Sequence, residues 1–258
     1  METVLGFRNQ QGNVLRGVMN IVPEATEGVI FLHGFGRSCR ELKFMTLEVA
    51  MEAERISTFG FDFSGWGHSQ GNLLNLSIAG MVDDFHSALQ IFASQANVRV
   101  SRVVAHSLGA CVLAEHLEAG GPSFERMVLI APALNQRQLL RYWFVRGKSK
   151  RLTWQIFHKF VDEDAFMRHC SMHPHPVKEK AIGAGYFLEM AERDYSLAFQ
   201  SVQNNILHIH GDQDTTVPLE SLRTRFKHRL LVHEGDHDLE EQLMVNQWLP
   251  QAVRFLAR

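Results

Sequence analysis

Val103-Val104-Ala105-His106-Ser107-Leu108-Gly109-Ala110 carries an apolar run into a small-His-Ser-x-Gly turn and then into a helical pattern. A strand that stops, turns sharply and becomes a helix forms a nucleophile elbow, which strains the serine backbone and lifts its hydroxyl clear of the sheet. Small residues at Ala105 and Gly109 let strand and helix pass closely behind the turn. The first small residue is Ala where Gly is usual in this motif, an extra methyl at a tight place. Ser107 is therefore the candidate nucleophile, and the competing reading is a serine in an ordinary strand-to-helix turn.

A serine hydroxyl needs a base to take its proton, and the base needs an acid to orient it. Both occur downstream. Ile206 to Gly211 is an apolar strand, and Asp214 follows in the turn Gly211-Asp212-Gln213-Asp214-Thr215-Thr216-Val217-Pro218. Leu230 to Val232 is a second apolar strand, and His237 lies in the loop after it. The order Ser107, Asp214, His237 differs from the orders of chymotrypsin-like and subtilisin-like enzymes and matches a third arrangement of the same groups. Asp212 and Asp238 compete for the acid's role. Asp212 suits the shaping of the turn, where Asp is favoured. His106 adjoins Ser107, but neighbours in a sharp elbow point apart, so it is not expected to act as the base. His33 is expected to hydrogen-bond within its own loop, and Asp62 to organise the Gly-rich turn around it.

Working outward, residues 2–8 and 14–22 predict a hairpin around Asn9-Gln10-Gln11-Gly12. Gly28 to Leu32, Ile56 to Phe61, Arg102 to Ala105 and Met127 to Ile130 predict strands. Leu42 to Ala50, Ala79 to Ala96 and the elbow segment to Ala119 predict helices, the last stopped by Gly120-Gly121-Pro122. This alternation implies a mostly parallel sheet with both faces covered. Between Pro132 and Ser201 the alternation breaks down into helical pieces rich in aromatics, among them Tyr142, Trp143, Trp154, Tyr186 and Phe187. An insertion there would lie over the C-terminal ends of the strands, where open α/β sheets bind ligands. It is expected to be a helical cap over residues 133–201, with a core of 1–132 and 202–258. Most of its aromatics would form the cap's own core, and the basic run Arg146 to Arg151 a solvated face.

Composition narrows the function. The chain has 258 residues and a formal net charge of −2, with no basic run interleaved with aromatics. It therefore predicts no nucleic-acid partner. No apolar run spans a bilayer and no leader opens the sequence, so no membrane partner is expected. The three cysteines, Cys39, Cys111 and Cys170, are widely spaced and odd in number. They predict free thiols in a reducing, cytoplasmic setting. His169, His173 and His175 raise a metal hypothesis. Pro174 and Pro176 make the segment irregular and no Cys or carboxylate sits at ligand spacing, so no metal is expected.

Four motifs together resemble the α/β-hydrolase superfamily, over nearly the whole chain. They are His33-Gly34-Phe35-Gly36, Asp62-Phe63-Ser64-Gly65-Trp66-Gly67-His68-Ser69, the elbow, and the Gly211 to Pro218 loop. Within it the chain resembles small capped carboxylesterases such as bacterial cinnamoyl and feruloyl esterases, and shares motifs with monoacylglycerol lipases. The resemblance implies an α/β-hydrolase fold, a small-molecule ester substrate, an acyl-enzyme on Ser107 and no cofactor. By motif position it implies an oxyanion hole formed by the backbone N–H groups of Phe35 and Leu108. A thioesterase, a lipase, a C–C bond hydrolase and a catalytically silent binding protein of the same fold remain alternatives, because the cap and not the triad would separate them.

Overall fold

The structure, a computed structural model, describes residues 2–177 and 179–258. Strand β1 (Glu2–Arg8) pairs antiparallel with β2 (Val14–Asn20), Glu2 opposite Asn20. This is the expected hairpin, two residues shorter at its end. The strand stops because the backbone N–H of Val22 donates to the Ser57 hydroxyl instead of to a neighbouring strand. The remaining strands of the main sheet are β3 (Glu27–Leu32), β4 (Ser57–Phe61), β5 (Arg99–His106) and β6 (Arg126–Ile130). After a small separate hairpin of β7 (His175–Val177) and β8 (Lys180–Ile182) come β9 (Ile206–Gly211) and β10 (His228–Val232). The main sheet has eight strands in the order β1-β2-β4-β3-β5-β6-β9-β10. The pairs from β4 onward are parallel.

Strands β3 and β6, and β5 from Val103 to Ala105, read as continuous apolar stretches because both faces are covered. Helices α1 (Leu42–Ala53) and α7 (Gln242–Leu256) pack Phe44, Leu47, Met51 and Trp248 on one face. On the other, α2 (Ile78–Ala96) and α3 (Leu108–Glu118) pack Phe85, Phe92 and Val112. Fully burying each large apolar side chain contributes about 1.5–3 kcal/mol. Helix α2 begins where the Ser77 hydroxyl accepts from Gly80 N–H and ends at Asn97 in the left-handed region.

The strand order positions the site. The chain leaves β3 for β4 on one side, then crosses through α2 to β5 on the other side of β3. Ligands of open α/β sheets bind outside the C-terminal ends of the strands at such a reversal. Here those ends carry the His33–Gly36 loop and Ser107, with Leu32 opposite Ala105.

From 131 to 205 the chain leaves the sheet between β6 and β9. It forms α4 (Gln136–Lys148), α5 (Glu163–Cys170), the β7–β8 hairpin and α6 (Ala184–Met190). Tyr142, Trp154 and Phe157 pack on one another with ring centroids 4.8–5.5 Å apart. Trp143, Tyr186 and Phe187 instead line a cavity above Ser107. The segment around Pro174 and Pro176, expected to be irregular, includes a regular pair of short strands. Pro176 is accommodated because a two-stranded ribbon has an edge where no N–H is required.

Candidate active site

Ser107 sits at φ 52°, ψ −113°, between the end of β5 and the first residue of α3. Positive φ is costly for a residue with a Cβ and persists only where the surroundings enforce it. Here the Ser107 N–H donates to Ile130 O, and the Ser107 carbonyl accepts from Ala110 and Ala133 N–H. Behind the turn a Cβ on Gly109 would lie 2.4 Å from Leu32 O, so α3 can pass β3 only with glycine there.

The structure brings Ser107, His237 and Asp214 together. Ser107 Oγ lies 3.0 Å from His237 Nε2, and His237 Nδ1 lies 2.8 Å from Asp214 Oδ2. Asp214 Oδ1 accepts the N–H groups of Thr216 and Val217, each at 2.8 Å. His210 Nε2 donates to Val217 O at 2.8 Å and lies 3.4 Å from Asp214 Oδ2. Its Nδ1 lies 3.0 Å from His208 Nε2. Burial alone would raise the Asp214 carboxyl, but the His210 and His237 imidazoles beside it outweigh burial and hold it well below the usual carboxylate range. An ionised Asp214 fixes the hydrogen of His237 on Nδ1 and leaves Nε2 free to accept from the serine.

The two late loops are held at contact distance by glycines. A Cβ on Gly211, at the end of β9, would fall 2.1 Å from Gly235 O in the loop carrying His237. Only backbone against backbone lets the acid loop and the histidine loop approach this closely.

Phe35 and Leu108 flank the serine in a cavity of about 370 Å³. Neither backbone N–H has an acceptor among the described residues, and Leu108 begins a helix, where the first N–H groups have no intrahelical partner. The loop bearing Phe35 is tied down by His33. Its Nδ1 donates to Gly34 O at 2.8 Å and its Nε2 accepts Phe63 N–H at 3.1 Å. The bond to Gly34 is the expected one; the bond to Phe63 joins this loop to its neighbour. Asp62 accepts Cys39 N–H and His68 N–H and so organises the second Gly-rich turn.

A buried ionic cluster behind the elbow has no local mark in the sequence. His106 Nε2 donates to the carbonyl of His237 at 3.2 Å. Its ring lies 5.0 Å from the His237 ring, and its Nδ1 lies 3.4 Å from Glu41 Oε1. Lys43, fully buried, donates to Glu41 at 2.8 Å and to Glu240 at 2.9 Å. Burial would raise Glu41, but His106 and Lys43 bring it down to about 2. Burial and the Lys43 charge keep His106 below its ordinary value and hence neutral at pH 7.

The other candidates lie elsewhere. Asp212 pairs with His233 at the surface. Asp238 grips Arg37 at 2.6 Å on the cavity rim. His169 and His175 face each other with Nε2 atoms 3.2 Å apart, while His173 Nδ1 lies 3.4 Å from Ala184 N–H. No group of three ligand side chains suited to a metal occurs among the described residues. The three cysteines are free and buried, and burial raises their thiols, Cys170 to about 11.

This geometry sits on a chain whose residues 23–230 match the model of the hydrolase family described as serine aminopeptidase, S33. The chain belongs to this family. Its fold is the α/β-hydrolase fold, and solved structures share it along the whole of this S33 chain. The esterase Est1E of Butyrivibrio proteoclasticus, with ferulic acid bound, superposes with a TM-score of 0.72 at 15% identity, covering 98% of this chain and 97% of its own. An esterase of Pyrococcus furiosus gives 0.68 at 15%, covering 99% and 90%. A serine hydrolase without lid from Xanthomonas campestris gives 0.61 at 14%, covering 98% and 94%. No curated protein matches the chain. No helix among the described residues is long and apolar enough to cross a membrane.

Proposed function

We propose that this chain is a serine carboxylesterase acting on small to medium acyl groups, aromatic ones included. One observation carries the reading: a strained serine, a histidine at 3.0 Å and a buried carboxylate at 2.8 Å in series on the floor of a largely apolar cavity. His237 takes the Ser107 proton as the oxygen attacks the ester carbonyl, then gives it to the leaving alcohol. Asp214 keeps the histidine in the required tautomer and stabilises its charged form. The N–H groups of Phe35 and Leu108 receive the developing oxyanion; losing one such donor typically costs about 2.7–4 kcal/mol. Water, activated by the same histidine, then hydrolyses the acyl-enzyme. The segment between β6 and β9 acts as a cap, supplying Gln136, Leu140, Trp143, Tyr186 and Phe187 to the cavity wall.

An aminopeptidase activity, which the family's name suggests, is less well supported. A substrate ammonium group needs an unpaired carboxylate in the cavity. Asp238 is the carboxylate among the lining residues, and Arg37 already neutralises it.

Hydrolysis of p-nitrophenyl esters from acetate upward, and of methyl ferulate, by wild type and Ser107→Ala tests the proposal. Wild type is expected to turn over at least one series, with a loss of about 10⁴-fold or more in the variant. Turnover that survives Ser107→Ala, or no ester hydrolysed at all, overturns it.

A further inference from the structure

The loop that carries His237 is held from behind the elbow by side chains that take no part in the triad. The main chain of His237 makes one hydrogen bond among the described residues, and it comes from His106 Nε2 at 3.2 Å. A carbonyl only accepts, so the hydrogen of His106 sits on Nε2. The ring has no room to swing away. It is 1% exposed, a Cβ on Gly34 would lie 3.1 Å from its Nδ1, and Glu41 Oε1 lies 3.4 Å from the same atom. Two residues beyond His237, the Leu239 carbonyl accepts from Trp248 Nε1 at 3.0 Å. Glu240 then accepts from the buried Lys43 ammonium at 2.9 Å, and Lys43 in turn grips Glu41 at 2.8 Å. The histidine loop, the elbow and the start of α1 are thereby joined in one largely buried circuit.

Stability alone does not call for these groups. His106 Nδ1 and Glu41 Oε2 are buried without a hydrogen-bond partner among the described residues, and leaving a polar atom so is generally destabilising. Burying the Lys43 ammonium carries a desolvation cost of its own. An apolar side chain at position 106 would avoid the first of these costs, but it could not hold the His237 carbonyl. His106 is also the covalent neighbour of Ser107. Consecutive residues therefore fix the two ends of one distance: His106 grips the main chain of His237, and Ser107 Oγ meets its ring at 3.0 Å. Reacting groups must be held near their attack geometry, and a misplacement of about 1 Å can lower a rate by about 10²-fold.

We infer that His106, backed by Glu41 and Lys43, is a positioning residue that sets the His237 imidazole against Ser107. The inference rests on the reading in which His237 serves Ser107, and its test is separable from the esterase proposal. His106→Phe and the smaller His106→Leu remove the donor. In His106→Gln the side-chain N–H₂ stands as many bonds from Cα as the imidazole Nε2 and can reach the same carbonyl. Each variant is assayed for ester hydrolysis, for the rate at which a fluorophosphonate labels Ser107, and for its urea unfolding transition. In an apolar variant that unfolds cooperatively, kcat per folded molecule is expected to fall about 30–100-fold with KM within about threefold of wild type. Labelling is expected to slow in step. His106→Gln is expected to recover both rates to within about fivefold of wild type.

Apolar variants that turn over and label at near wild-type rates overturn the inference. So does a glutamine variant as slow as the apolar ones. Failure of both apolar variants to fold also overturns it, because His106 is then required by the fold and not by the geometry of the site. Labelling needs an activated serine but no ester specificity. A wild type that labels quickly yet hydrolyses no ester loses the esterase reading alone, and the labelling ratios still decide the inference. A wild type that neither labels nor turns over overturns both.

Discussion

Asp214 cannot rotate without breaking its own turn, because Oδ1 is held by two backbone N–H groups while Oδ2 faces His237. Asp214→Asn would place an N–H₂ group where the histidine or the turn requires an acceptor. The expected result is a fall in kcat of roughly 10³–10⁴-fold from the wrong imidazole tautomer. Asp212→Asn, at a surface pair with His233, is expected to stay within about twofold. Steady-state kinetics on both variants decide between the two acids, and the reverse pattern would assign the role to Asp212. His210 stands one step behind: it ties the Val217 carbonyl and leans on the carboxylate. His210→Leu leaves that carbonyl unpaired and is expected to cost about 1–3 kcal/mol of stability.

At the scale of elements, the β9 and β10 loops meet through Gly211 and Gly235. Gly211→Ala drives a methyl into a carbonyl oxygen, and overpacking of this kind costs about 1–3 kcal/mol. A lowered Tm together with a lowered kcat is expected, since the same displacement separates Asp214 from His237. A variant with unchanged kcat would mean the loops have slack that the packing does not show. Much at this scale was legible in the sequence. The elbow, the His33 loop, the Asp62 turn and the acid loop are short and local, and their Gly, Asp and Pro residues are demanded by turn geometry within a few positions. Helix α7 was not foreseen, although its buried Met244, Val245, Trp248, Ala252 and Leu256 follow helical spacing. Nor were the contacts that join distant stretches. His106 reaches the His237 carbonyl across 131 positions and Lys43 reaches Glu240 across 197. Gln136 and Tyr186 line one cavity from two different helices. No local pattern encodes such meetings; they appear only once the sheet order is known.

For the whole molecule, buried titratable groups set the response to acid. His33, His106 and His208 are held below their ordinary values, chiefly by burial. The unfolded chain therefore binds protons that the native state refuses, and stability declines as pH falls below about 6.5. Glu41, held at about 2 against an ordinary 4.5, and Asp214 add a second stage. A carboxylate depressed in the folded state contributes fully above its ordinary value and loses that contribution as pH falls through the folded one. The urea midpoint is expected to fall from pH 7.5 to 5.5, and more steeply below about 4.5. Glu41→Gln should flatten the lower stage. A midpoint unchanged between pH 7.5 and 5.5 would contradict the neutral buried histidines.

Strands β6 and β9 are hydrogen-bonded neighbours, Met127 opposite Ile206, yet everything from 131 to 205 lies between them in the chain. Its two ends thus leave and rejoin the sheet side by side. A lineage can lengthen, shorten or rewrite what covers the serine without re-registering a single strand.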